Sequence, residues 1–362
     1  MSSVNNQLKE FLTSRIKSKK KIVISSRGAS KRLGLNNYLS KDDQIFDRVE
    51  PNPNLIQLIE FFQTFNLDSE TTVVAIGGGS VIDFSKLVAL FFKCKPDNIK
   101  TKIESGEYRN IDSALKTVVI PTLYGSGAEQ TPFAVCYIGS KKYSVSNPLL
   151  FPKSILYFTG FSESIPIKIK EANILDCFCQ ASESLTSINS NELSKNYAAG
   201  AVKLLVKYGR DYIRMNKHVS EIMKASELCG KAISTSKTTG PHALSYYLTS
   251  QHDLPHGKAV GLSFLYFLQF YLSPKYNNDK QLIDFFEQLC ISFNCEKTEL
   301  ANEIPEYLDK IGLNTLNLKK SIYSKIDYKE WYSSINLERL VNGPQISDED
   351  FNYKSLKIFI GN

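Results

Sequence analysis

Two periodicities divide this chain. Up to about residue 160, short β-rich apolar runs alternate with segments of helical spacing. Strands are read in Lys21–Ser30, which ends in a small polar loop, in Phe46–Pro53, which runs into a proline-punctuated turn, and in Thr71–Ile76, Lys116–Pro121 and Ser154–Phe158; the segments 4–16, Leu55–Phe65 and Val81–Phe92 read as helices. Phe133–Ile138 and Lys142–Val145 read as a hairpin. Strands alternating with helices imply a mostly parallel sheet. Beyond Ser162 the period becomes helical. Ile167–Ser187, Leu193–Met215, His218–Ser236, Ala259–Leu272, Lys280–Phe293 and Lys297–Ile311 are expected as helices, the fifth with Leu282, Ile283, Phe285, Phe286 and Leu289 on one stripe. The reading is therefore an α/β domain over 1–160 and an all-α domain over 161–362.

Composition narrows this little. The chain's 362 residues are 42% hydrophobic and 22% charged, ordinary for a soluble globular protein. The net charge of +7 is dispersed, so nucleic acid is not expected as a partner. The tightest basic run, Lys17-Ser18-Lys19-Lys20-Lys21, reads as a solvated helix end. The polar start does not resemble a signal peptide, and the apolar run around Val260–Leu272 is too short to span a bilayer. Seven cysteines without a Cys-x-x-Cys pair suit a reducing, cytoplasmic setting.

Candidate chemistry lies in both halves. Three of the four histidines, His242, His252 and His256, fall within one stretch of fifteen residues. Imidazole is the commonest metal ligand and the usual proton carrier near neutrality. Upstream, Asp176, Gln180 and Glu183 share one face of an otherwise apolar helix. Buried carboxylates there require partners or a metal. In the first half, Gly77-Gly78-Gly79-Ser80 joins a strand to a helix carrying Asp83 and Lys86. Such a turn admits a phosphate at a helix N-terminus, and a tight turn without ligand satisfies the same residues. Thr122, Ser126 and Thr131 lie in a second loop of small and hydroxyl residues. A nucleotide in the first half and acid/base or metal chemistry in the second imply an interdomain cleft.

Six pieces in order resemble the iron-containing (group III) alcohol dehydrogenases, whose fold is shared with dehydroquinate synthase and glycerol dehydrogenase. They are Val49-Glu50-Pro51-Asn52-Pro53, Ile76–Asp83 with Lys86, Pro121–Thr131, Asp176–Glu183, the histidine stretch and Asn342-Gly343-Pro344. Thr239–Ser250 and Gln180 look most like the phosphonoacetaldehyde reductase (hydroxyethylphosphonate dehydrogenase) branch. The resemblance implies reduction of a small, anionic or uncharged, aldehyde by NADPH or NADH with Fe²⁺ or Zn²⁺, and a homodimer. It maps the metal ligands to Asp176, Gln180, His242 and His256. An amide is a poorer ligand than imidazole. Either Gln180 coordinates weakly, or the other three act with water and substrate, or no metal is used. Gly77, Gly78, Gly79, Ser80 and Asp83 would serve the pyrophosphate side. Thr122, Ser126 and Thr131 would flank the nicotinamide, with Lys142 also on the cofactor. Ser26 stands where NAD-using relatives carry an Asp, and Arg27 follows it, which favours NADPH. His252 would relay a proton or line the cleft, and Lys237, taken as helical, would contact an anionic substrate. A cyclising lyase or a non-catalytic nucleotide-binding relative are the rival readings.

Overall fold

The computed structural model describes residues 7–16, 20–41, 43–139 and 141–361. It separates into two compact units, one ending at Ile165 and one running from Pro166.

The first unit is built on a five-stranded parallel sheet. Its strands are β1 (Lys20–Ser25), β2 (Gln44–Phe46), β3 (Thr71–Gly77), β4 (Lys116–Pro121) and the two-residue β7 (Ser154–Ile155), in the order β2-β1-β3-β4-β7. The register places Val74 between Val23 and Val118. All seven residues of β3 are buried, as expected of a central strand covered on both faces, where an unbroken β-branched run replaces alternation. The helices are α1 (Arg27–Leu33), α2 (Leu55–Thr64), α3 (Gly79–Phe91) and α4 (Pro96–Ser105). On one face of the sheet Phe46, Phe61, Phe65 and Phe84 pack with ring centroids 5.0–6.1 Å apart. Strands β5 (Phe133–Ile138) and β6 (Lys141–Ser146) form a separate antiparallel hairpin. The sheet order turns back between β1 and β3, and the carboxyl ends beside such a switch point are where open α/β sheets bind ligands.

The second unit is helical: α5 (Ile167–Thr186), α6 (Glu192–Met215), α7 (Val219–Ser236), α8 (Gly240–Gln251), α9 (His256–Tyr271), α10 (Lys280–Phe293), α11 (Leu300–Lys310), α12 (Thr315–Ile322), α13 (Tyr328–Ser333), α14 (Leu337–Leu340) and α15 (Tyr353–Gly361). Helix α5 lies at its centre. Fifteen of its residues are buried, Asp176, Gln180 and Glu183 among them. Polar side chains in that position must find partners within the unit.

Several expectations are corrected. The second strand is Gln44–Phe46, so it ends where it was expected to begin; Val49 N–H donates to Ser25 O, and the prolines beyond, in the stretch expected as a turn, remove donors. The basic run is not a solvated helix end. Lys17 and Lys19 lie outside the described residues, but Lys20 and Lys21 open β1, and Lys21 is buried with Nζ donating to Leu12 O at 2.7 Å. Ile283 leaves the α10 stripe and is exposed, whereas Leu282, Phe285, Phe286 and Leu289 are buried. No helix is long and apolar enough to cross a membrane among the described residues.

Candidate metal centre and nucleotide loops

The metal centre grows out of α5. Asp176, Gln180 and Glu183 follow one another down its buried face, and each meets a different kind of partner. Asp176 Oδ1 lies 3.3 Å from His242 Nε2 on α8 and 3.8 Å from His256 Nε2 at the start of α9. Ligand atoms of Asp176, His242 and His256 all lie within 4.8 Å of one another. The Asp253 residue between α8 and α9 has φ of 52°, and this short left-handed turn brings His256 back beside His242. Tyr246, one turn after His242, lies nearly parallel to the His256 ring with centroids 6.5 Å apart.

Glu183 orients this pair from behind. Its Oε1 is 2.5 Å from His242 Nδ1, and its Oε2 accepts from Thr239 N at 2.6 Å and Thr239 Oγ1 at 3.0 Å. The carboxylate thus fixes the His242 ring and caps the start of α8 together. Thr239 is placed in turn by the segment before it. Asn342 Nδ2 donates to Ser236 O at 2.8 Å and Thr238 O at 3.0 Å, while its Oδ1 accepts from Ser187 Oγ at 3.0 Å and Asn189 Nδ2 at 2.5 Å. A histidine whose Nδ1 is bound to a carboxylate presents Nε2 for coordination. Without an ion, burial opposes the charge on His242, but Glu183 and Asp176 outweigh it and raise the imidazole to about 10. Burial likewise opposes ionisation of Asp176, and the hydrogen bond from His242 and the charge of His256 overcome it, holding the carboxyl below its usual value. One carboxylate oxygen and two imidazole nitrogens, backed by a second carboxylate, are a donor set that fits a divalent transition metal.

Gln180 does not present its oxygen to this cluster. Its amide nitrogen donates to Asp176 Oδ2 at 2.8 Å, and its Oε1 lies 3.5 Å from Cys229 Sγ on α7. Lys237 is also displaced from its expected place. It is the residue after α7, with φ of 59°, and its ammonium pairs with Glu338 at 3.4 Å on the surface. The three-residue break Lys237-Thr238-Thr239 between α7 and α8 ends the helix on which it was expected to lie. His252 ends α8 and stands outside the cluster. Its ring packs on Tyr247 with centroids 5.2 Å apart, and its buried Nε2 has no hydrogen-bond partner.

In the first unit, the expected nucleotide residues gather at the carboxyl ends of neighbouring strands. Ser26 follows β1 and caps α1 by accepting from Ala29 N at 3.3 Å, with Arg27 next. Gly77, Gly78, Gly79 and Ser80 pass from β3 into α3, and Thr122 N donates to Gly77 O at 2.9 Å from the end of β4. Packing favours glycine here: a Cβ on Gly77 would stand 2.5 Å from Val81 Cβ, while one on Gly78 or Gly79 would displace the ends of Leu123 and Ser126, at 2.6 and 2.8 Å. Ser80 Oγ accepts from Asn52 N at 3.3 Å.

Two members of the expected set have internal work instead. Asp83 accepts from Val135 N at 3.1 Å, pinning the β5 strand, and burial raises its carboxyl to about 6 against the pull of Lys86. Thr131 Oγ1 donates to Ala128 O at 3.0 Å and accepts from Lys86 Nζ at 3.2 Å. Lys86 itself is fully buried and donates to Ala128 O, Thr131 O and Phe133 O at 2.5, 2.7 and 3.0 Å. Lys142 lies on β6, close enough to Asp83 to favour its ionised form. Glu183, Thr239 and Cys229 are the site residues that sequence reasoning did not assign. Of these only Glu183 carried a signal, as the third polar position on the α5 face.

Comparison with known proteins agrees with this architecture. Residues 5–159 match the family model described as iron-containing alcohol dehydrogenase, and residues 172–330 match the C-terminal model of the same family. The chain belongs to the iron-containing alcohol dehydrogenase family. Among curated relatives, aldehyde-alcohol dehydrogenase 2 of Entamoeba histolytica is 25% identical over 320 residues, 81% of this chain and 36% of that protein. Phosphonoacetaldehyde reductase of Streptomyces viridochromogenes is 30% identical over 200 residues, 52% of this chain and 50% of that protein. The chain thus matches between about a third and a half of the length of these relatives. The sulfoacetaldehyde reductase of Bifidobacterium kashiwanohense, solved in complex with NAD⁺, superposes with a TM-score of 0.77 at 23% identity, covering 98% of this chain and 94% of that one. Membership of the family implies a nicotinamide cofactor and a divalent metal.

Proposed function

We propose that this iron-containing alcohol dehydrogenase relative reduces a small aldehyde to a primary alcohol with NAD(P)H, and that its substrate is phosphonoacetaldehyde, giving 2-hydroxyethylphosphonate. The observation that carries the reductase reading is the convergence of Asp176, His242 and His256 with Glu183 behind them. A divalent ion held there supplies a Lewis acid for the carbonyl. Glu183 sets the His242 tautomer, and Asp176 and His242 are buried while His256 stands at the half-buried side of the cluster. The anionic-substrate reading is supported by two relatives whose names specify a two-carbon aldehyde bearing a phosphonate or a sulfonate.

The cofactor reading rests on the first unit. Backbone N–H groups at the start of α3 suit a pyrophosphate. Ser26 and Arg27 at the end of β1 offer a hydroxyl and a cation, which suit a 2′-phosphate where an acidic residue would repel it. NADPH is therefore the proposed reductant, and Fe²⁺ or Zn²⁺ the metal.

The test is NAD(P)H oxidation by anaerobically purified protein with Fe²⁺, Zn²⁺ or chelator, comparing phosphonoacetaldehyde, sulfoacetaldehyde and uncharged lactaldehyde. Metal-dependent turnover favouring the phosphonate is expected. Turnover of lactaldehyde alone removes the anionic substrate and keeps the reductase. Tight NADPH binding with no turnover of any aldehyde at any metal removes the reductase and favours a non-catalytic role.

A further inference from the structure

We infer that Gln180 is a positioning residue and not a ligand, so that this chain's metal centre is a three-residue centre with an additional exchangeable coordination position. The inference rests on the metal-dependent reading above and deepens it.

The argument begins with the two oxygens of Asp176. Oδ1 faces both imidazole nitrogens, and Oδ2 takes the Gln180 amide N–H at 2.8 Å, its one hydrogen-bond donor among the described residues. Asp176 and Gln180 are both buried, so an Oδ2 without that donor would be left desolvated with no hydrogen bond of its own among the described residues, the histidines facing Oδ1. The amide is held at its other end as well. Its oxygen sits 3.5 Å from the Cys229 thiol, whose proton it shares with Cys177 O at the same distance. Turning the amide to offer its oxygen to an ion would set its N–H₂ against that sulfur, a weak acceptor, and would strip Asp176 Oδ2 of its partner. The hydrogen bond to Asp176 therefore opposes coordination, and the Cys229 thiol beside the oxygen adds to it. The carboxylate gains a fixed rotamer: with Oδ2 tied to the same helix one turn on, Oδ1 remains directed at His242 and His256. The site thus gives up a fourth protein ligand and gains a preset third one.

The experiment uses the full chain and Mn²⁺ as the probe, because the water-proton relaxation of bound Mn²⁺ counts exchangeable waters. Gln180→Leu removes both the donor and the oxygen. If Gln180 positions Asp176, the variant still binds one ion per chain, about 10- to 100-fold more weakly, and the number of exchangeable waters stays as in the wild type. If Gln180 is a ligand, its loss adds one water, and the inference is overturned while the metal reading survives. Failure of the wild type to bind Mn²⁺, Zn²⁺ or Fe²⁺ overturns both. Should Gln180→Leu not fold, a crystal of the wild type soaked with Zn²⁺ decides the matter: Gln180 Nε2 still on Asp176 supports the inference, and an oxygen at bonding distance from the ion ends it.

Discussion

Gly257→Ala tests how closely the metal site depends on helix packing. Gly257 follows His256 in the first turn of α9, where that helix crosses α5. A Cβ at this position would stand 1.8 Å from the backbone oxygen of Ala172 and 2.7 Å from its carbonyl carbon, whereas real Cβ contacts essentially never fall below 3.0 Å. The obstacle is backbone within a helix, so no side chain can rotate away. The two helices must separate by about 1 Å or more, well beyond the tolerance of ~0.2 Å within which metal–ligand distances hold. Both ends of the displacement carry candidate ligands: His256 adjoins the new methyl, and Asp176 lies one turn beyond Ala172. We expect a loss of about 3 kcal/mol in urea unfolding, as for a severe overpacking, and Zn²⁺ affinity lower by about 100-fold in competition with a chelating dye. Gly261→Ala is the control. One turn further on, its Cβ would meet only the end of Leu313, at 3.1 Å, and a much smaller loss is expected. If Gly257→Ala matches the wild type in both measurements, the helix crossing does not set the ligand geometry and the reasoning fails.

Three further expectations follow from single residues. Glu183→Ala leaves His242 Nδ1 and Thr239 N without their buried acceptor, and should weaken Zn²⁺ binding by about 10- to 100-fold; unchanged affinity by calorimetry would show that the imidazole is oriented by something else. Ser26→Asp should move the preference from NADPH toward NADH, seen as the ratio of kcat/KM values, and an unchanged ratio rejects the cofactor assignment. Burial lowers the Lys86 ammonium to about 8, against the opposing charges of Asp83 and Glu129. Between that value and its unfolded value near 10.5, the unfolded chain binds a proton that the native one has released. Stability should therefore rise with pH across this window relative to Lys86→Met. Parallel pH profiles of the two proteins in urea would refute it.

The division into a parallel-sheet half and a helical half was legible because each is written in an unbroken period. The strand ends were less so: the second strand reads as beginning at Phe46, where it in fact ends, because the polar residues and the prolines Pro51 and Pro53 that follow leave, among the described residues, only Val49 N–H to bond beside β1. Helix α8 went unassigned because it is buried on nearly every side, with His242, Ser245 and Thr249 inside as well as the apolar residues, which erases the amphipathic stripe on which helix reading depends. The three coordinating residues were visible as scarce histidines and an acidic residue on one helix face. The direction of the Gln180 amide was not visible, since it depends on Cys229, a neighbour 49 positions away. Asp83 and Thr131 belong to the expected loops, but their side chains are spent on fastening Lys86 and the hairpin, a competition that only coordinates reveal.

The Asn342 crosslink has a consequence for how the protein becomes active during synthesis. Every coordinating residue has been made by position 256, yet the segment holding Thr239, and through it Glu183 and His242, is secured by a side chain 155 positions after Ser187. Closing so long a loop is a late, entropically costly event. A chain stopped short of residue 342 therefore holds Asp176, His242 and His256 but not the brace, and productive ion capture should await emergence of Asn342 rather than coincide with emergence of the histidines.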